Sequence, residues 1–193
     1  MMLTATAAPE IRLDGRCFTY VFPCAWEDYC KIGFSRDPLG RISTLHPRWF
    51  EFFDLDAGVL VEAETQRDAR DLELALRRPL TLHRAPAPLT VAARAGGKTE
   101  WVRGANQQLE QAVHELAAGG HRVYPLRAWL RAALLARMDR LHDWSAAHQP
   151  EQMPHGVPAL AALRDMLDAH AAMDIALEPV LPAAVWAWYQ RGH

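Results

Sequence analysis

Lysine is almost absent from this chain: 19 of its 21 basic residues are arginine. A basic surplus is absent too, because the formal net charge is −2 over 193 residues. That balance excludes a protein that coats nucleic acid by bulk charge, so any surface for a polyanion has to be a local patch. No run of about eighteen apolar residues occurs, and no membrane span is expected. Cysteine is sparse, with three residues, Cys17, Cys24 and Cys30. An odd count gives no disulfide framework. Their steps of six and seven residues also miss zinc-knuckle spacing, so they read as small apolar residues in strands. Internal repeats and low-complexity tracts are missing. Met1 to Pro9 are small and apolar but lack the basic flank of a signal peptide, which points to a loose leader and a cytoplasmic address.

What is present is the composition of an ordinary globular protein, 50% hydrophobic and 23% charged. The length suits one domain with an appendage or two small domains. Up to Gly104 there are 14 basic and 14 acidic residues, and beyond it 7 basic and 9 acidic. Phe18-Thr19-Tyr20-Val21-Phe22 and Tyr29-Cys30-Lys31-Ile32-Gly33-Phe34 are short β-favouring runs joined by a turn, as in a hairpin. Asp37-Pro38 predicts a helix start, and Pro47 its end near Leu45. Trp49 to Ala63 reads as a strand interrupted near Asp56-Ala57-Gly58. Thr65 then caps a helix with its stripe at Ala69, Leu72 and Leu76, ended or kinked by Pro79. Residues 83–99 read as loop, Glu100-Trp101-Val102 as a short element, and Asn106 to about Ala117 as a helix. The remainder is helical. Leu126, Trp129, Leu130, Ala133, Leu134, Met138 and Leu141 form one helical face, Leu160, Leu163 and Leu167 a second, and Pro182 opens a last helix.

The hairpin and its helix resemble the GIY-YIG nuclease superfamily. Phe18-Thr19-Tyr20 takes the place of the first tripeptide and Lys31-Ile32-Gly33 that of the second. Ser35 follows, and Arg41 stands eight residues after Gly33, where the family has a fixed arginine. Glu73, in Ala69-x-x-Leu72-Glu73-x-x-Leu76, is similar to the family's metal-binding helix. Gly97-Lys98-Thr99-Glu100-Trp101-Val102 looks like the Glu-Trp-Phe ending of the phage-type branch, which also favours Lys-Ile-Gly. The resemblance spans residues 18 to about 104. It implies an α+β fold with a small three-stranded antiparallel sheet flanked by helices, over residues 10–120, followed by an α-helical C-terminal region over 121–193.

The resemblance implies a metal-dependent endonuclease that hydrolyses phosphodiester bonds in nucleic acid, DNA before RNA, with one divalent cation. Glu73 would hold Mg²⁺ or Mn²⁺, because one carboxylate with waters and phosphate oxygens suits an octahedral shell. Arg41 would clamp the scissile phosphate with its fork. Tyr20 would orient or deprotonate the attacking water, with Lys31 tuning it by charge, and His46 is an auxiliary base candidate. Gly33 would allow close backbone approach; Ser35, Arg77 and Arg78 are candidate substrate contacts. Each has a plainer reading: a strand aromatic, a solvated lysine, an exposed helix arginine, a Glu73 paired with Arg70 or Arg77. The seven histidines after Gly104 lack ligand spacing and read as surface residues. Four departures keep an inactive, protein-binding or inhibitory relative open: no Gly in the first tripeptide, no Tyr in the second, Arg77 where the branch often has His, and Pro79, which truncates the metal helix. A nuclease toxin or effector, with a tail for a carrier or immunity partner, is a third reading. The tail tryptophans Trp129, Trp144, Trp186 and Trp188 read as packing or interface residues, through which the chain would meet a protein partner or itself.

Overall fold

The computed structural model describes residues 10–92, 100–154 and 156–192. The Gly97-Lys98-Thr99 part of the third motif lies outside them. Among the described residues the chain is α+β, with five antiparallel strands where the sequence reading expected three. The strands are β1 (Cys17–Pro23), β2 (Tyr29–Ser35), β3 (Val59–Ala63), β4 (Trp101–Arg103) and β5 (Val123–Pro125), in the order β4-β2-β1-β3-β5. β4 and β5 have three residues each, too short to declare a period, and owe their conformation to pairing with β2 and β3.

β1 is buried along its whole length because helices cover both faces of the sheet. Alternation sends Phe18, Tyr20 and Phe22 to one face, where they join Leu60, Trp101 and Tyr124 in the main core. Val21, Cys30, Ile32 and Val102 enter a core on the other face. That second face is covered by α3 (Gln66–Arg77), through Leu76, and by α4 (Asn106–Ala118), through Leu109 and Val113. The first face is covered by α1 (Pro38–Leu45), α2 (Trp49–Phe52) and α5 (Leu126–Leu135).

Two of the predicted helix starts have side-chain caps that make them. The Asp37 carboxylate accepts from the Gly40 N–H at 3.1 Å, with Pro38 in the first turn. Thr65 and Asp68 form a reciprocal capping box at the start of α3. Two expectations fail. Trp49 to Phe52 is a helical turn and not strand, because turning there buries both Trp49 and Phe53 while Arg48 reaches Glu51; packing overrides aromatic β-propensity. The stripe from Leu126 to Leu141 is two helices, α5 and α6 (Met138–Ala146). The break lets Leu134 join the main core and Leu141 a separate cluster with Leu163, Leu167 and Val185. That cluster is built with α7 (Pro158–Ala172) and α8 (Ala183–Gln190).

The helices beyond residue 120 pack on the sheet layer as well as on one another. Trp129 lies edge-on to Phe18, ring centroids 5.1 Å apart, and donates through Nε1 to the Arg12 carbonyl at 3.0 Å. Arg48 ties α2 to α7, reaching Asp165 at 3.0 Å and Asp168 at 2.8 Å. No helix among the described residues is long and apolar enough to cross a membrane.

Candidate active site

Tyr20 sits in the middle of β1, directly across from Gly33 on β2. A Cβ at residue 33 would lie 2.3 Å from the Tyr20 hydroxyl oxygen, so the room left by this glycine is filled by the phenol itself. Arg41, from the middle of α1, donates through Nε to that hydroxyl oxygen at 3.2 Å. Burial pushes the Tyr20 pKa up, and the neighbouring Arg41 charge opposes the shift. The phenol therefore keeps its proton at neutral pH. With its oxygen already accepting from Arg41, its O–H is available to donate. This geometry suits a hydroxyl that orients a reacting group more than one that removes a proton from it.

Lys31 is fully buried, with its ammonium beside the Trp101 ring, 5.6 Å from the centroid, and hydrogen-bonded to Glu100. Desolvation lowers the Lys31 pKa, and the hydrogen bond and charge of Glu100 hold it up. Glu73 is 5% exposed on the inner side of α3, between Ala69 and Leu76. The Thr19 hydroxyl anchors that helix by donating to the Ala69 carbonyl at 2.7 Å, one turn before Glu73. Arg77, one turn after it, donates to the Glu73 carboxylate. Glu73 and Glu100 both act electrostatically on Tyr20 and on Lys31. The structure thus brings Tyr20, Lys31, Arg41 and Glu73 into one electrostatic unit. Two counter-ions belong to it, Arg77 and Glu100.

Glu100, inside the Glu100-Trp101-Val102 segment, is a member of the site that the motif residues alone do not reveal. Its cue is a lysine in an apolar strand, since a buried ammonium requires a carboxylate partner. Among the described residues the cluster brings together three cations, Lys31, Arg41 and Arg77, and two carboxylates, Glu73 and Glu100. Along β2 the pairing with β4 covers Tyr29 to Lys31, so among the described residues Gly33 to Ser35 lie beyond that ladder.

Other candidates stand elsewhere. His46 turns toward α2: its Nδ1 accepts from the Arg48 N–H at 3.1 Å and its ring stacks on Phe52 at 4.6 Å. The Ser35 hydroxyl accepts from the Asp37 N–H at 3.0 Å and shapes the entry to α1. Arg78 is exposed at the end of α3. The three cysteines are free thiols, and burial raises Cys24 to about 12 and Cys30 further, so neither is a thiolate at neutral pH. Among the described residues no three His, Cys, Asp or Glu side chains are grouped for a metal ion. One expectation about histidine is corrected: His170 is not on the surface but 3% exposed, on the same stripe of α7 as Leu163 and Leu167. In comparison with known proteins, the chain matches no protein-family model, no curated protein and no solved structure.

Proposed function

We propose that the cluster around Tyr20 and Arg41 is the catalytic centre of a GIY-YIG-type phosphodiesterase acting on nucleic acid, DNA before RNA. The observation that carries this reading is the Arg41–Tyr20 hydrogen bond over Gly33, with Glu73 and Glu100 acting electrostatically both on that phenol and on Lys31. In this reading Arg41 holds the scissile phosphate and Tyr20 donates to a phosphate oxygen or to the attacking water. Lys31 and Glu100 fix the charge balance behind them.

A divalent cation would supply the Lewis acid and the activated water. The residues fit it in one way. Glu73 is the one carboxylate on α3 that faces the cluster, so the ion would keep most of its shell as water and phosphate oxygens, as Mg²⁺ does. Arg77 now holds that carboxylate and has to give way. The test is cleavage of supercoiled plasmid by the purified chain with Mg²⁺ or Mn²⁺, with EDTA and with Glu73→Gln. Loss of cleavage in both controls, with circular dichroism unchanged, supports the reading. Metal-independent cleavage, or full activity of Glu73→Gln, defeats it.

One observation favours a second reading, a binding module without catalysis. Both carboxylates of the cluster are engaged by cations, and Glu73 is almost out of solvent. If intact protein binds a DNA duplex through Arg41 but never cleaves it with Mg²⁺ or Mn²⁺, that reading replaces the first.

A further inference from the structure

On the far side of α1 a cavity of about 510 Å³ opens between α1, α2, α5, α6 and α7. Its deep residues are Trp49 and His170, each 3% exposed. At its mouth stand Arg137, exposed Arg140 and Trp144, the last 38% exposed. Its volume falls within the range of small-molecule sites.

His170 makes the site specific. Its Nδ1 lies 2.7 Å from the Met166 carbonyl, one turn back, which can only accept, so Nδ1 carries the proton. Burial lowers the ring's pKa and keeps it neutral. Nε2 is then a bare acceptor. Among the described residues the only fully buried side-chain nitrogen or oxygen without a partner is Arg164 Nη1. Nε2 is not one of those fully buried unpartnered atoms, so it keeps some accessible surface, and His170 is one of the residues that line the cavity. A buried acceptor in a fixed tautomer, on a residue that lines a cavity, can take a ligand N–H or O–H. Trp144 is steadied from beside by His148, ring centroids 4.3 Å apart, and still lines the mouth. Arg137 holds Asp37 at 3.0 Å in a solvent-exposed pair, which is weak and leaves further guanidinium donors. Asp37 is occupied by that pair and by the Gly40 N–H.

We propose that this cavity binds a nucleobase bearing a phosphate. His170 Nε2 accepts from an N–H on the base edge, Trp144 stacks on the base, and Arg140 with Arg137 holds the phosphate. Each part matches one part of the ligand: a donor edge, an aromatic face and an anion. Two sources present that chemistry, a free nucleotide or an unpaired base of a polynucleotide. Leu39, Gly40 and Ser43 of α1 line the cavity, while Arg41 of the same helix reaches Tyr20. The inference does not depend on hydrolysis.

Isothermal titration of the full chain with adenosine monophosphate, adenosine and inorganic phosphate tests it. The monophosphate should bind more tightly than either fragment. Arg140→Ala should weaken it roughly tenfold and His170→Phe roughly fivefold, the sizes of a charged and a neutral hydrogen bond. If His170→Phe does not fold, Arg140→Ala and Trp144→Leu, both on accessible side chains, carry the test. No heat with the monophosphate up to millimolar concentration, or unchanged affinity in Arg140→Ala and Trp144→Leu, overturns the proposal. Displacement of bound monophosphate by a short single-stranded oligo(dA) assigns the base to a polynucleotide. Failure of the oligonucleotide to displace it assigns the site to free nucleotides.

Discussion

Replacing Gly33 with alanine puts the central contact of the candidate site under direct strain. The new Cβ would stand 2.3 Å from the Tyr20 hydroxyl oxygen, 2.5 Å from Cζ and 2.9 Å from Cε2. The phenol cannot easily yield. It is 1% exposed, stacked on Phe22 at 4.2 Å with the rings 9° from parallel, and held by Arg41. Over-packing of a close-packed core costs roughly 2–3 kcal/mol, and losing the hydrogen bond to a charged donor about 1.5 kcal/mol more. Alanine gains about 0.5–1 kcal/mol over glycine within a strand. The net loss is about 3 kcal/mol. At ~2–4 °C per kcal/mol for a chain of this size, Tm should fall by roughly 6–12 °C. Urea unfolding followed by tryptophan fluorescence measures it. The decisive control is the Tyr20→Leu background, where the clashing atoms are gone and Gly33→Ala should cost less than about 1 kcal/mol. If Gly33→Ala is neutral in the native background, or adds fully to Tyr20→Leu, the phenol does not fill this space and the site's central contact is wrong.

Three further outcomes follow from the same cluster. Arg41→Lys keeps the charge but loses both the fork and the Nε donor to Tyr20, so plasmid cleavage should fall on the order of tenfold or more with little change in Tm; the opposite pattern, a lower Tm with unchanged cleavage, makes Arg41 structural. Glu100→Gln strands the buried Lys31 ammonium and should cost roughly 1–3 kcal/mol in urea unfolding, discounted because Glu100 is itself a third exposed. Its folded Lys31 pKa falls further below the ordinary 10.5, so this variant should regain stability as pH rises toward that value, and a flat profile would contradict the pair. Burial raises the folded Tyr20 pKa above its ordinary 10.0, so its contribution is complete below that value and is lost as pH climbs past it. Tyr20→Phe should therefore cost less stability at about pH 11 than at about pH 8, and an equal cost at both would refute the shift.

What the sequence reveals about the fold is what is decided locally. The Asp37-Pro38 start and the Thr65 cap bind atoms three residues away, so residue identities alone suffice. The failures are elements decided by distant partners. β5 exists because Val123 and Tyr124 meet Val61 and Leu60, and nothing within three residues announces that. The turn at Trp49 to Phe52 has strand-like residues, but only as a helix does it aim Trp49 and Phe53 into the core together. The break after Leu135 is invisible in a stripe that fits one helix, because the stripe serves two clusters whose positions depend on α7 and α8. His170 is a related case. Its polar identity suggests the surface, while its spacing from Leu163 and Leu167 puts it on the buried face.

The candidate site divides along the same line. Tyr20, Lys31, Arg41 and Glu73 are legible as residue types at set spacings, but their bonding is not. Glu73 and Arg77 are four residues apart on one helix, and that pair can be written down from the sequence. Tyr20 and Arg41 are 21 residues apart, and their bond exists because the hairpin turns the phenol over Gly33 toward α1. Lys31 and Glu100 are 69 residues apart, joined only when β4 is laid against β2. Yet that most distant pair is the one physical necessity predicts best. Lys31 stands between Cys30 and Ile32 in a strand covered on both faces, and an ammonium there without a carboxylate would be too costly to keep. The demand for a counter-ion is written in the strand. Its identity is supplied by the fold, which sets Glu100, the residue before β4, beside Lys31.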